Sequence, residues 1–223
     1  MRKVLLLTMT FFLFFTIAAS AKVLIPMGNP VGVRLDKIVG TGTLTYVDPE
    51  TNEFGALGHA IFDGSKDVLS FEKGVLHDVS IESVVKSKPG QPGYKNSKLK
   101  GKIGLIDDNT TYGIFGTIDT EIELNEPMEI GSNIQLGSAK MLTALDSEQV
   151  ESYTIEITDI GQSDFQFEVI DKEVVQKTGG IVQGMSGSPI IQNGKFVGVI
   201  THMYVESPKT GMGIPIEIMI QKD

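Results

Sequence analysis

The chain alternates short apolar runs with turns rich in Gly, Pro, Asn and Asp, and this pattern predicts a protein made almost entirely of β-strands. Apolar and polar side chains alternate over residues 153–158 and, more clearly, over 165–170, as in strands with one buried face. Asn193-Gly194 between two apolar runs predicts a hairpin with a two-residue turn. Many short strands of this kind indicate an all-β barrel or sandwich. Further strands are predicted at 43–47, 54–57, 79–85, 102–106, 112–118, 128–136, 140–145, 189–192 and 195–201.

One segment departs from the strand pattern. Residues 172–178 predict a short helix, with Asp171 placed to cap its N-terminus and Gly179 placed to end it in a left-handed conformation. A glycine-rich turn, Gly184 to Pro189, follows a few residues later. The helix is therefore expected to lead directly into this turn.

The glycine-rich turn Gly184-Met185-Ser186-Gly187-Ser188-Pro189 holds the clearest candidate chemistry. Its two glycines leave room for a carbonyl group to approach the Ser186 hydroxyl. They also leave the backbone N–H groups of Gly184 and Ser186 free to point at one spot, which is the geometry of an oxyanion hole. The same residues also suit a plain turn between two strands. Ser188 is expected to bond to the backbone of the turn rather than to act as nucleophile.

A serine nucleophile needs a base within hydrogen-bond reach, and the chain has three histidines. His59 lies at the end of a predicted strand, where an imidazole can project into a cleft, although a purely structural turn histidine fits the sequence equally well. His77 lies in a stretch rich in Gly and Asp and is expected on a surface loop. His202 ends the strand after the predicted hairpin and is expected to line the cleft.

Composition narrows the function classes. The net charge of −9 argues against nucleic acid and against an anionic membrane surface as partners. The absence of cysteine excludes disulfide bridges, a thiol nucleophile and thiolate metal ligands. The acidic residues lack metal-ligand spacing and no glycine loop opens a helix, so neither a metal nor a cofactor is expected. A lysine cluster is expected to form a solvated surface loop or a contact for an acidic partner: Lys86, Lys88, Lys95, Lys98, Lys100 and Lys102.

The N-terminus has the pattern of an export signal. Arg2 and Lys3 precede an uncharged run, 4–19, and Ala19-Ser20-Ala21 fits the small-x-small cleavage rule. The run is about 16 residues, shorter than the roughly 20 that span a bilayer. Residues 1–21 are therefore predicted to be a signal peptide and 22–223 the mature domain, the alternative being an uncleaved membrane anchor.

Three stretches of the sequence resemble one family, the SpoIVB peptidases of endospore-forming bacteria. The longest is 178–195 with Ser186 at its centre, and 42–49 followed by 54–61 is similar as well. Near the end, 199–202 and 211–214 recur in the same order. The turn itself is similar to the nucleophile turn of chymotrypsin-like serine proteases. The resemblance implies a double β-barrel of the chymotrypsin type with one short helix before the nucleophile turn and a seam near residues 120–140.

The resemblance also implies roles for particular residues. Ser186 corresponds to the nucleophile, His59 to the general base and Asp171 to the acid that orients the base. An acid just before the serine is unusual for a chymotrypsin-like enzyme, in which the acid lies in the first barrel. Four other aspartates therefore stay open as alternatives: Asp63, Asp78, Asp107 and Asp108. The substrate is expected to bind as an extended strand along Val199, Ile200, Thr201 and His202.

The function implied is that of an exported serine endopeptidase that cleaves itself and a protein substrate during sporulation signalling, in the space between two membranes. Better-known family members carry a PDZ domain between the N-terminal hydrophobic segment and the protease region. Here only about 20 residues separate these parts, so a peptidase domain without a PDZ domain is expected over 22–223. Two other functions stay open, a catalytically silent peptide-binding module and a structural envelope protein.

Overall fold

Two sets of antiparallel strands account for most of residues 22–221, the part of the chain that this computed structural model describes. The predicted signal peptide lies outside the described residues. The strands of the first set are β1 (Val23–Pro26), β2 (Pro30–Leu35), β3 (Ile38–Val47), β4 (Glu53–Ala56), β5 (Gly74–Val85), β6 (Tyr94–Thr110), β7 (Gly113–Ile118) and β8 (Met128–Glu129). Those of the second set are β9 (Gly137–Ala144), β10 (Val150–Ile160), β11 (Phe165–Val169), β12 (Pro189–Gln192), β13 (Lys195–Tyr204) and β14 (Ser207–Pro215).

Both sets close into barrels. In the first, the order β2-β5-β6-β7-β4-β3 is joined end to end by pairing between β2 and β3, while β1 and β8 continue outward from β3. In the second, the closed order is β10-β11-β14-β13-β12-β9. Closure leaves few unpaired strand edges. The expected double barrel is confirmed, and the chain crosses from one barrel to the other between β8 and β9, inside the predicted seam.

Each barrel encloses an apolar core, because alternate side chains along its strands point inward. Large, fully buried members of the first core are Leu35, Leu44, Phe54, Leu76 and Ile114, and those of the second include Met141, Phe165 and Phe167. A third cluster joins the barrels. It brings Leu24, Tyr46 and Phe115 of the first barrel together with Phe196, Val199, Ile216 and Met219 of the second.

Two short helices accompany the strands within residues 22–221. Helix α1 (Lys172–Thr178) is the predicted one, with Asp171 as its N-cap and Gly179 in the left-handed conformation at its end. Helix α2 (Ile216–Met219) was not predicted, and it buries Ile216 and Met219 in the cluster between the barrels. Among residues 22–221, no helix is long and apolar enough to cross a membrane.

The glycine-rich turn of the second barrel is fastened to strand β3 of the first. The N–H of Thr43 donates to the carbonyl of Ser186 at 2.9 Å, and the buried Thr43 hydroxyl donates to the carbonyl of Gly184 at 2.8 Å. Gly187 lies against the same strand with a φ of 94°. A Cβ at this position would lie 2.3 Å from the Thr43 carbonyl oxygen and 2.6 Å from the Leu57 nitrogen. The position therefore requires glycine for both conformation and space.

Four predictions from the sequence are wrong. The buried Ser188 hydroxyl does not bond to the backbone of the turn, since it has no hydrogen-bond partner among the described residues. Residues 128–136 form a strand only over Met128–Glu129, because the remainder crosses between the barrels. The lysine cluster is not a loop throughout, since four of its lysines lie on strand β6. Of these, Lys95 is buried, while Lys100 and Lys102 pair with Glu148 and Asp119. His77 lies within β5, opposite Gly32 of β2, rather than on a loop.

We expect Gly187→Ala to lower the free energy of unfolding by more than about 2 kcal/mol, because the added methyl group meets backbone atoms that cannot rotate away. Chemical denaturation measures the change. Gly101→Ala is the matched control, since nothing lies within 4 Å of a Cβ there, and it should alter stability by no more than about 0.5 kcal/mol. Equal stability of the two variants would contradict the close approach of the barrels at Gly187.

Candidate active site

A pocket of about 490 Å³ opens between the barrels. Ser186, His59 and His202 all line it, and so does Gly184. The first barrel supplies His59 and the second supplies the other three. The fold therefore brings together the predicted nucleophile, the predicted base and one predicted oxyanion residue, which are far apart in the sequence.

Ser186 is positioned by hydrogen bonds on both sides of it. Within the turn, Met185 N–H donates to Val182 and Ser188 N–H donates to Met185. Across to strand β13, Gly187 N–H donates to the carbonyl of Ile200 at 2.8 Å, and Ile200 N–H donates to Ser188 at 3.0 Å. The half-buried Ser186 hydroxyl donates to the carbonyl of Thr201 at 3.0 Å. His59 is not a described partner of this hydroxyl.

Two backbone donors of the turn are free in the described part of the chain. Among the described residues, the N–H of Gly184 and the N–H of Ser186 have no hydrogen-bond acceptor. Gly184 has a φ of 98°, which only glycine adopts without strain. Both residues line the pocket. Unpaired N–H groups beside a serine hydroxyl are what an oxyanion hole needs.

His59 follows strand β4 through a tight turn in which Leu57 and Gly58 both have positive φ. Its Nδ1 lies 2.9 Å from the carbonyl of Ala60. Because a carbonyl can only accept, Nδ1 carries the hydrogen and Nε2 keeps its lone pair. Burial lowers the pKa of His59, the bond to Ala60 opposes that shift, and the neighbouring His202 lowers the pKa further. The imidazole is therefore kept neutral, as a base must be.

His202 lies directly beside His59. The two ring centroids are 5.1 Å apart and the ring planes are inclined by 36°. His202 is exposed, in accord with the prediction that it lines the cleft. Of the other predicted substrate-binding residues, Ile200 and Thr201 line the pocket, whereas Val199 packs in the cluster between the barrels. The backbone of Ile200 is already bonded to the nucleophile turn, so a substrate strand would pair from Thr201 onward.

Asp171 lies in the second barrel, at the start of α1. One carboxylate oxygen accepts from the N–H groups of Glu173 and Val174, and the other accepts from the N–H of Thr154 at 3.1 Å. Both oxygens are thus bonded to backbone groups. The described contacts of His59 lead to Ala60 and His202 and do not include Asp171. Its predicted role as the acid partner stays a prediction.

The alternative aspartates make no described contact with His59 either. Asp63 bonds to Ser65 and Asp67 in its own loop, Asp78 faces Lys100, and Asp107 and Asp108 are exposed on β6. The next residue, Asn109, holds the segment after His59. Its side chain bonds to both the N–H and the carbonyl of Ile61 and to the carbonyl of Leu69. No pattern in the sequence marks this asparagine.

The walls of the pocket are apolar. Apart from the two histidines, no acidic or basic side chain of residues 22–221 lines it. Ile181 and Val182 lie beneath, and two hairpins contribute exposed apolar side chains to the rim. These are Ile38 and Val39 from the β2–β3 hairpin and Val205 from the β13–β14 hairpin. The pocket therefore offers contacts to apolar rather than to charged groups.

A serine hydroxyl, a neutral imidazole and free backbone donors between two β-barrels define the class of chymotrypsin-like serine proteases. The chain belongs to the family of SpoIVB peptidases, S55, whose sequence pattern matches residues 30–220. The chain is thus a serine endopeptidase by family and fold. No curated protein matches it by sequence.

Solved structures share the fold at low sequence identity. The active form of the Rv3671c protease from Mycobacterium tuberculosis is 12% identical, with a TM-score of 0.50, 88% of this chain and 79% of that chain being covered. A Glu endopeptidase is 15% identical, with a TM-score of 0.50 and coverage of 88% and 90%. Deg5 is 17% identical, with a TM-score of 0.50 and coverage of 87% of both chains.

We expect His202→Asn to move the acid limb of the kcat/KM profile to higher pH. With His59 as the predicted base, activity requires the neutral imidazole and is lost as pH falls through the pKa of His59. Removing the second ring takes away a group that lowers this pKa, so the loss begins at a higher pH. A pH–rate profile with a peptide substrate measures the shift. His77→Asn, in β5 and outside the pocket, should leave the profile unchanged.

We expect Asp171→Ala to lower the free energy of unfolding by about 1–2 kcal/mol, because α1 loses its N-cap. Asp171→Asn should lose less, since the amide oxygen can still accept at the cap. Thermal or chemical unfolding measures both. Asp107→Ala, on an exposed residue without a described partner, should leave stability within about 0.5 kcal/mol of the wild type.

The kcat of Asp171→Asn tests the predicted catalytic role separately from stability. If Asp171 orients the base, replacing its carboxylate by an amide should lower the kcat of the enzyme about 10⁴-fold while the fold stays intact. If Asp171 only caps the helix, the kcat of Asp171→Asn should fall little once activity is expressed per folded molecule.

Proposed function

We propose that the chain hydrolyses peptide bonds with Ser186 as nucleophile and His59 as general base. The observation that carries this proposal is the meeting of a hydroxyl, an imidazole with a free Nε2 and two unpaired N–H groups around one pocket. A plain turn between two strands has no need of these groups together. A pure peptide-binding groove needs neither the serine nor the histidine.

The steps follow from these groups. Rotation about the Cα–Cβ bond of Ser186 releases its hydroxyl from the Thr201 carbonyl. The oxygen then attacks the scissile carbonyl while Nε2 of His59 takes the proton. The N–H groups of Gly184 and Ser186 stabilise the negative oxygen that forms. His59 returns its proton to the leaving amine, and water repeats the sequence to release the acyl group.

Orientation of the base comes from the backbone in this proposal. The Ala60 carbonyl holds Nδ1–H and so selects the tautomer that leaves Nε2 unprotonated. Asp171 is proposed as the acid partner on family resemblance alone. Its bonds to Thr154 and to the start of α1 support a second role, which is to hold the helix that leads into the nucleophile turn.

The proposed substrates are extended peptides with apolar side chains next to the cleaved bond. Main-chain pairing with β13 from Thr201 onward would bind the backbone, as in strand addition. The uncharged pocket would receive an apolar side chain, because an unpaired charge buried there is costly. The exposed side chains of Ile38, Val39 and Val205 extend the apolar contact along the peptide.

The proposal extends to the biological setting. The signal pattern of residues 1–21 supports export across the cytoplasmic membrane. Membership of the SpoIVB peptidase family supports a part in sporulation signalling, with self-cleavage and with action in the space between two membranes.

One observation favours a second function. The Ser186 hydroxyl bonds to Thr201 rather than to His59, as it would in a protein that keeps the groove for peptide capture without cleavage. Cleavage separates the two functions, because a silent module leaves peptides intact with and without the hydroxyl, whereas a protease cleaves them only with it.

Purified residues 22–223 should cleave a denatured protein mixture. The Ser186→Ala variant should cleave about 10⁴–10⁶-fold more slowly, because it lacks the nucleophile. It should still bind peptide, because the groove is unchanged. Mass spectrometry of the new termini measures cleavage and reports both the preferred side chains and any self-cleavage. Ser188→Ala is the matched control and should remain active. Identical termini from folded wild type and Ser186→Ala would favour the peptide-binding module.

A further inference from the structure

Lys95 is the buried member of an otherwise exposed lysine cluster. It lies on β6 and is 5% exposed, whereas Lys98 and Lys100 on the same strand face solvent. Its Nζ donates to the buried hydroxyl of Thr143 on β9 at 3.0 Å. In the described chain no carboxylate pairs with it. Burial alone lowers the pKa of Lys95 to about 7.

A lysine buried without a counter-ion is costly, and such groups are concentrated at functional sites. Lys95 does not line the pocket. It lies behind it instead, against Gly184. A Cβ on Gly184 would lie 3.2 Å from Cδ of Lys95 and 3.4 Å from its Cβ. The aliphatic stem of Lys95 is thus the surface on which Gly184 rests.

The backbone of Lys95 controls the direction of the Gly184 N–H. The N–H of Lys95 donates to the carbonyl of Gln183 at 3.1 Å. This carbonyl and the N–H of Gly184 belong to one trans peptide unit, in which the two groups point in opposite directions. With the carbonyl bonded to β6, the N–H is directed away from β6. On the other side, the Thr43 hydroxyl holds the carbonyl of Gly184.

The geometry points to Lys95 as a positioning residue for the oxyanion hole. Its backbone fixes the peptide between Gln183 and Gly184, its stem supports Gly184, and its Nζ anchors the stem to Thr143 of the second barrel. It touches neither the substrate nor the reacting atoms. The inference rests on the proposed function, since only a hydrolase uses the Gly184 N–H in this way.

Variants of the pair test the inference. Lys95→Met keeps an unbranched stem but loses the bond to Thr143, and Lys95→Ala loses the stem as well. If Lys95→Met fails to fold, Thr143→Val removes the same bond from the other side. Thr143→Ser keeps a hydroxyl that can accept from Lys95. Lys98→Met, on an exposed residue of the same strand, is the matched control.

Removing one oxyanion donor lowers kcat about 10²–10³-fold, and a misplaced donor should cost less. We therefore expect kcat to fall about tenfold in Lys95→Met and in Thr143→Val. The fall should be larger in Lys95→Ala. KM should change less than kcat, the double variant should be no worse than either single variant, and Thr143→Ser should recover activity. Rates are expressed per serine titrated with a fluorophosphonate, which removes any effect of unfolded protein.

A second measurement separates positioning from general stability. The affinity for a peptide boronate, whose tetrahedral adduct uses the oxyanion hole, should fall as kcat falls, while the affinity of an unreactive peptide should not. Unchanged kcat per titrated serine in Lys95→Met and Lys95→Ala would overturn the inference. Failure of the wild type and of Lys98→Met to cleave at all would instead overturn the proposed function.

Discussion

The attachment of the nucleophile turn to strand β3 is the contact on which the site depends. The turn belongs to the second barrel, yet the backbone and hydroxyl of Thr43 in the first barrel bind the carbonyls of Ser186 and Gly184. Gly187 permits this approach because a side chain there would meet the backbone of the first barrel. Since His59 also comes from the first barrel, the same contact that joins the barrels brings Ser186 and His59 to one pocket.

The electrostatics of the site are those of neutral groups in an apolar setting. The chain has a net charge of −9, yet among the described residues the two histidines are the only acidic or basic side chains that line the pocket. Burial and His202 lower the pKa of His59 and so favour its neutral form, and the proposed oxyanion hole consists of backbone N–H groups. Such dipoles act strongly where water is excluded. Lys95 is the only buried lysine in the described part of the chain, and it does not line the pocket.

Local features of the sequence predicted local structure well. The alternation over 165–170, the hairpin at Asn193-Gly194 and the caps of α1 were confirmed, because each depends on neighbours within a few residues. The strand predicted over 128–136 was wrong, since its apolar residues cover the junction between barrels. Lys95 was wrongly expected on the surface, because a lysine in a basic stretch carries no local sign of burial.

By itself the sequence determined the all-β class, the serine in its glycine turn, the short helix before it and the family resemblance. Only the tertiary structure decided which groups meet: Ser186 Oγ with Thr201, Nδ1 of His59 with Ala60, the Asp171 carboxylate with backbone amides, and Lys95 with Gly184. The reason is physical. Turn and strand propensities act over a few residues, whereas these partners are chosen by how the two closed barrels pack against each other.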